Sequence, residues 1–402
     1  MRSPLARAAA LMATVATVAT VATLFPSVAT AAGKPGERGA PAAAAPRLPV
    51  VPPGSVGMSA ARLARIDVPV AAAIARQEVP GAVVLVGRNG SVVFRKAYGR
   101  RAIVPAPEAM TVDTVFDMAS LTKPLATAIS VMTLVERGLV RLADPVVKLL
   151  PAFGAGGGLR DTVTVEELLT HRGGLAPDDP MSLYLGTPSE IFARKYREPL
   201  VSAPGSRFSY SDAGYEALGE LVAKVTGESL DRYAAKAVFG PLGMTETEFR
   251  PGGKGKLPVS RIAPTELLDG VPLRGVVHDP RARALGGVAG HAGLFSTADD
   301  VARFAQALLA GGKGVLSPAG VAAMTRPRAW GDADVRALGW DVSSHFSSNR
   351  GDLFPLGSWG HTGWTGTSLW VDPVTGVYVV VLTNRDHPDA RGNAIPLRGE
   401  IA

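Results

Sequence analysis

Cysteine is absent from all 402 residues. That excludes a disulfide framework and a lipid-attachment cysteine, so the fold must be held by its packed core. Only six histidines occur, and none forms a compact ligand pair on a helix or strand, so neither a metal nor another cofactor is expected. His171 follows a helix and reads as a turn residue, while His278-Asp279 and His291 are loosely spaced in a Gly-rich loop. No run of five or six Lys/Arg with interleaved aromatics is present, although the formal net charge is +7, which argues against a nucleic-acid partner. The stretch GGKGK at 252–256 lacks the hydroxyl residue and the strand–helix flanks of a phosphate loop. A G-x-S-x-G elbow is also missing, which excludes one common serine-hydrolase architecture.

What remains is globular: 47% of the residues are hydrophobic and 19% charged. Arg2 and Arg7 open a short positive start, residues 8–25 are apolar and small, and Ala29-Thr30-Ala31 supplies a small-x-small cleavage site. Residues 1–31 therefore read as a signal peptide cut after Ala31, with membrane attachment only if that segment is retained; the expected destination is outside the cell. Residues 32–54 are Pro/Ala/Gly-rich and read as an extended linker. One domain is expected over 55–402.

Ser59 is placed to cap the helix in SAARLARIDVPVAAAIARQ. Two β-branched runs at about 82–88 and 91–98 flank Asn89-Gly90, the strongest short hairpin signal. From about 105 to 330 the signals are mostly helical, as in STADDVARFAQALLAGG, where Ser296 or Thr297 is the expected cap. Strand character returns in ALGWDVSS, GTSLWVDP and GVYVVVLTN, the last two joined by a turn at Asp372–Gly376. The expected fold is α+β, with one antiparallel sheet assembled from about 55–104 and 331–402, flanking helices, and an inserted, mostly helical part over 105–330.

Three stretches carry chemistry. In FDMASLTKPLATA, Ser120 and Lys123 share one helical face, and Pro124, tolerated only in a first turn, pins the helix start close to the serine. A serine there has the positive helix end behind it, and the lysine can stabilise its alkoxide or accept its proton. On this motif alone, a nucleophile and a capped helix with a snorkelling lysine are equally supported. In RFSYSDAGYEALGELV, Asp212 is the expected N-cap, and Tyr210 can act as a base only if nearby cations such as Lys123 lower its phenol pKa. In WGHTGWTGTSLWVDP, His361-Thr362-Gly363 precedes a late strand, where Gly363 permits close backbone approach and the next amide can donate to an oxyanion.

S-x-x-K, then Y-x-D roughly ninety residues on, then H-T-G before the last strands resembles the serine β-lactamase and penicillin-binding-protein superfamily. Tyrosine in the second motif and histidine in the third make the chain more similar to class C enzymes and their esterase and D-aminopeptidase relatives. TVEELLTHRGGL, PGSRFSYSD and ALGGVAGHAGLFSTADDVARF share the likeness. The resemblance implies Ser120 as nucleophile, Lys123 as its activating partner and Tyr210 as general acid/base. It places Asp212 beside them, Thr362 and Gly363 on the substrate-binding edge, and the Ser120 and Trp364 amides in the oxyanion hole. Two positions depart from it. Asp212 stands where many members have Asn, and His361 where β-lactamases have Lys, which weakens the grip on a substrate carboxylate. The ending RGNAIPLRGEIA implies a shorter final helix than members carry. The implied activity is a secreted serine hydrolase working through an acyl-enzyme. Its substrates are small molecules or peptidoglycan-derived D-amino-acyl peptides; a small-ester carboxylesterase or a non-hydrolytic penicillin sensor is the alternative.

Overall fold

Alternate residues of the longest strands feed two different cores, and that alternation sets the layering. The computed structural model describes residues 47–402. The expected signal segment and the linker up to residue 46 lie outside the described residues. The strands, in chain order, are β1 Gly81–Arg88, β2 Ser91–Ala102, β3 Glu108–Ala109, β4 Phe116–Asp117, β5 Glu248–Phe249, β6 Leu267–Leu268 and β7 Val271–Pro272. They continue as β8 Leu294–Ser296, β9 Val335–Arg336, β10 Asp341–Ser343, β11 Trp359–Thr362, β12 Ser368–Asp372 and β13 Val377–Thr383.

Eight of them form one antiparallel sheet in the order β3-β2-β1-β13-β12-β11-β10-β9. The β1–β13 pairing, from Ala82 opposite Thr383 to Arg88 opposite Val377, joins the two ends of the chain as the sequence predicts. Val83 and Leu85 of β1, with Val380 and Leu382 of β13, face a core shared with Leu121, Leu125 and Phe304. Ala82, Val84, Val86, Val379 and Val381 point the other way, onto Val70, Ala73 and Leu397. A strand buried on both faces needs apolar residues at every position, which is why these runs show no polar alternation.

Local signals behave as expected at several points. Asn89 and Gly90 both take positive φ, 50° and 84°, the conformation a two-residue hairpin turn demands. Ser59 accepts a hydrogen bond from the Arg62 amide, and Thr297, rather than Ser296, caps Ala298–Leu309. The end of the expected linker joins the fold, since Val51 N–H donates to the Val92 carbonyl at 3.0 Å. The middle of the chain is mostly helical, as expected, and also holds two small sheets that the sequence did not signal: β4, β8 and β5 form a second sheet, and β6–β7 a third. Strands of two or three residues are too short to show a period of two.

Candidate active site

Asp117, at the end of β4, builds the turn on which Ser120 sits. Its buried carboxylate accepts the Ala119 amide at 2.8 Å and the His278 amide at 2.7 Å. Ala119 is thereby held at φ 45°, a left-handed conformation that is uncommon without glycine. The chain then enters a short 3-10 turn, Ala119–Leu121, and continues through a wide turn at Lys123–Ala128 into the helix Ile129–Glu136. Pro124 lies at the head of that run, where its missing N–H costs nothing. Ser120 is thus presented at a sharp bend opening a buried helix.

Lys123, with no solvent exposure, has its ammonium 2.9 Å from Ser120 Oγ, 2.6 Å from Asp212 Oδ1 and 3.3 Å from the His291 carbonyl. Burial alone would pull the Lys123 ammonium down; the Asp212 carboxylate and Tyr210 outweigh it, so its pKa lies above the ordinary lysine value. The Lys123 ammonium lies 4.8 Å from the Tyr210 ring centroid, and Lys123 and Ser120 both act on the phenol. Burial, reinforced by Asp212, pushes the Tyr210 phenol above its ordinary value despite the pull of Lys123. The cationic neighbour expected from the sequence is therefore present, but the resting phenol keeps its proton.

Asp212 is not the helix cap. Ser211 takes that role, its hydroxyl accepting the Gly214 amide at 3.2 Å, and Asp212 is the first residue of Asp212–Thr226. Freed from capping, its carboxylate turns to Lys123.

His171 was legible only as a turn residue. It does bond backbone, its Nδ1 accepting the Ser211 amide at 3.0 Å, but its ring also stacks on Tyr210 at 4.3 Å. Burial first, then the charges of Arg336 and Lys123, hold this imidazole well below its ordinary pKa, so it packs as a neutral plate. His291 and Asp279, scattered in sequence, converge on Asp212, with their candidate ligand atoms within 4.8 Å of one another. Protein charges already occupy that cluster: His291 lies 3.0 Å from Asp279 and 3.3 Å from Glu216, and Lys123 takes Asp212.

The third motif forms the opposite wall. Thr365 and Thr367 donate hydroxyls to the Asp117 and Met118 carbonyls at 2.8 and 3.0 Å, clamping the loop after β11 onto the serine turn. A Cβ on Gly363 would lie 2.2 Å from Thr367 Oγ1 and 2.4 Å from the Met118 carbonyl, so the close approach it permits is to the chain's own bend. His361, in β11, has its Nδ1 2.8 Å from the Thr362 carbonyl, which makes that nitrogen the donor. Burial and the charges of Arg336 and Lys123 keep it well below the ordinary imidazole pKa. Trp364 stands 65% exposed, with the Arg385 guanidinium 4.5 Å from its ring centroid.

Between the walls lies a pocket of about 420 Å³ lined by Ser120, Tyr210, His361, Thr362, Gly363 and Trp364, among others. All eight predicted site residues therefore meet: six line this pocket, and Lys123 and Asp212 lie behind Ser120 and Tyr210. Ser120, a charged lysine and a phenol thus stand together at the head of a buried helix.

The chain belongs to the β-lactamase family, whose model, described as "Beta-lactamase", matches residues 66–402, and it is a serine hydrolase of that family. A protein of Escherichia coli (strain K12) named "Putative D-alanyl-D-alanine carboxypeptidase" is 35% identical over 345 residues, covering 77% of this chain and 79% of that one. Among solved structures, EstCE1, titled "a hydrolase with promiscuous acyltransferase activity", is similar with a TM-score of 0.70 and 26% identity, covering 84% of this chain and 97% of that one. The octameric penicillin-binding protein homologue from Pyrococcus abyssi is similar with a TM-score of 0.65 and 25% identity, covering 84% and 75%.

Proposed function

We propose that this chain is an exported hydrolase that cleaves cell-wall D-amino-acyl peptides through an acyl-enzyme on Ser120. The single observation that carries the reading is the contact of Lys123 Nζ with Ser120 Oγ at 2.9 Å, with the Tyr210 ring 4.8 Å from the same ammonium. Ser120 Oγ attacks the scissile carbonyl carbon. Tyr210 takes the serine proton while passing its own to the leaving amine, so the phenol stays neutral, in keeping with its raised pKa. Lys123 remains charged throughout and stabilises the negative charge that develops on Ser120 Oγ and the phenol oxygen. The amides of Ser120 and Trp364 receive the carbonyl oxygen of the tetrahedral intermediate. In deacylation, water attacks the ester carbon, its proton goes to Tyr210, and Tyr210 returns a proton to Ser120 Oγ.

The name of the Escherichia coli relative supports a D-Ala-D-Ala substrate, and the signal-like residues 1–31 support export. Export is tested by N-terminal sequencing of culture supernatant, where a mature chain beginning at Ala32 is expected. Activity is tested by D-alanine release from a D-Ala-D-Ala peptide, expected in the native protein and absent in Ser120→Ala. A specific observation favours small esters as second substrates: the pocket wall carries a neutral His361 and an exposed Trp364 ring. Turnover of short-chain nitrophenyl esters without D-alanine release would make the esterase reading the correct one. Stable labelling by a fluorescent penicillin without turnover of either would make the chain a sensor.

A further inference from the structure

One residue fixes the backbone on both sides of Tyr210. The His171 carbonyl accepts the Ser209 amide at 2.9 Å, and His171 Nδ1 accepts the Ser211 amide at 3.0 Å. Tyr210 lies between those two bonds, and its ring stacks on the same imidazole, with centroids 4.3 Å and planes 27° apart. Two other rings stand further from the phenol, Phe346 at 5.2 Å and His361 at 6.0 Å, and both are tilted. Of the three, the His171 ring is nearest and most nearly parallel.

His171 is itself firmly anchored. It is buried, its amide donates to the Leu168 carbonyl at 3.2 Å, and its φ of 59° is a left-handed conformation that histidine adopts more readily than most residues. Tyr215, from the helix Asp212–Thr226, lies 4.8 Å from the imidazole, and its hydroxyl donates to the Leu169 carbonyl at 2.9 Å. To accept the Ser211 amide, Nδ1 must carry a lone pair, so the ring proton sits on Nε2. That nitrogen has no hydrogen-bond partner. A buried donor without a partner is costly, so what the histidine contributes here is Nδ1 and the face of its ring. Burial and the cations Arg336 and Lys123 hold the ring in the neutral form this requires. A phenylalanine would stack but leave the Ser211 amide bare, and an aliphatic side chain would do neither.

We propose that His171 is a positioning residue that sets the place and tilt of the Tyr210 phenol against Ser120 and Lys123, and thereby the rate of proton transfer. The inference rests on the reading above that Tyr210 relays the serine proton. Proton transfer demands hydrogen-bond reach, and a misplacement of about 1 Å costs on the order of 10²-fold in rate. The pocket lining includes Tyr210 and not His171, so the effect falls on turnover rather than on substrate binding.

Variant kinetics test this, with a D-Ala-D-Ala peptide and a short-chain nitrophenyl ester as substrates. His171→Ala should lower kcat about 10²-fold and leave KM within about threefold of native. His171→Asn keeps an acceptor near the place of Nδ1 and tolerates the left-handed backbone, so it should be at least about fivefold more active than His171→Ala. In Tyr210→Phe protein, adding His171→Ala should cost less than about twofold more, because its effect runs through the phenol. Long-range proton–nitrogen NMR of the histidine-labelled native protein should show a neutral His171 ring with its proton on Nε2. A native kcat in folded His171→Ala, an undiminished loss in Tyr210→Phe protein, or His171→Asn no more active than His171→Ala overturns the proposal. If those variants fail to fold, a His171 ring protonated at Nδ1 in the native protein overturns it unaided. Ester turnover that follows this pattern, without D-alanine release, breaks the peptidase reading alone and leaves His171 in its role. A native protein that turns over neither substrate overturns both.

Discussion

Lys123 and Lys195 occupy similar surroundings and teach different lessons. Both are buried, both touch a tyrosine, and both pair with carboxylates: Lys123 with Asp212, and Lys195 with Glu216 and with Asp179 at 3.2 Å. Lys195 also donates to Tyr184 at 2.8 Å. For Lys195 burial wins over Asp179 and brings its pKa down to about 8, which still leaves it charged at neutral pH beside Glu216. For Lys123 the paired carboxylate and the phenol win, and the pKa rises. Lys123 alone of the two has a serine hydroxyl in front of it, at 2.9 Å, and that serine lines the pocket of about 420 Å³. A buried, paired lysine is therefore a structural device by default, and the serine on its sharp bend makes one of the two a candidate for chemistry.

The comparison breaks most sharply by substitution. Ser120→Ala should remove at least about 10⁴-fold of kcat/KM, as loss of a nucleophile does. Lys123→Ala should cost about 10²- to 10⁴-fold, the range for removing a proton-transfer partner. Lys195→Met should do the opposite. It leaves Glu216 buried without its cation, so denaturant unfolding should show a loss of roughly 3–5 kcal/mol. The kcat of its folded fraction should match the native value. If Lys195→Met abolishes turnover while folded, the two lysines are not distinct in kind.

The pH dependence sharpens the contrast further. Lys123 and Tyr210 both titrate above their ordinary values, and His171 and His361 both well below theirs. Stability from the paired Lys123 ammonium is fully present below the unfolded lysine pKa and is lost only as pH rises through its higher folded value. The kcat profile should therefore be flat from about pH 6 to 9. A limb with a midpoint near 7 would contradict the charge states given for the site. Asp212→Asn removes the carboxylate that offsets burial, so Lys123 should drop and an alkaline limb should enter the window. The smallest change is His361→Lys, a cation added to a pocket whose lining already includes Arg336, Arg385 and Arg398, which should raise carboxylate preference only severalfold.

The sheet was legible because its rules are local: Asn89-Gly90 dictates a turn, and uninterrupted Val/Leu runs dictate strands buried on both faces. The eight site residues were legible because three short motifs recur in a fixed order. What the sequence concealed is long-range. The stacking of His171 under Tyr210 joins residues 39 apart, and no periodicity encodes it. Arg336 sits in a two-residue strand and reads as any surface arginine until the fold closes around it. Asp212 shows the opposite failure. A local rule made it a cap, but its neighbour Ser211 satisfied the amide, and the carboxylate was released to a lysine far away in the chain.

The most direct test of the account is intact-mass and peptide mass spectrometry of the native protein, acid-quenched during reaction with an acetylated D-Ala-D-Ala peptide and, separately, with a penicillin. An acyl adduct is expected on the peptide containing Ser120 in both cases, transient with the peptide and longer-lived with the penicillin. An adduct on any other residue, or one that persists in Ser120→Ala, would contradict it.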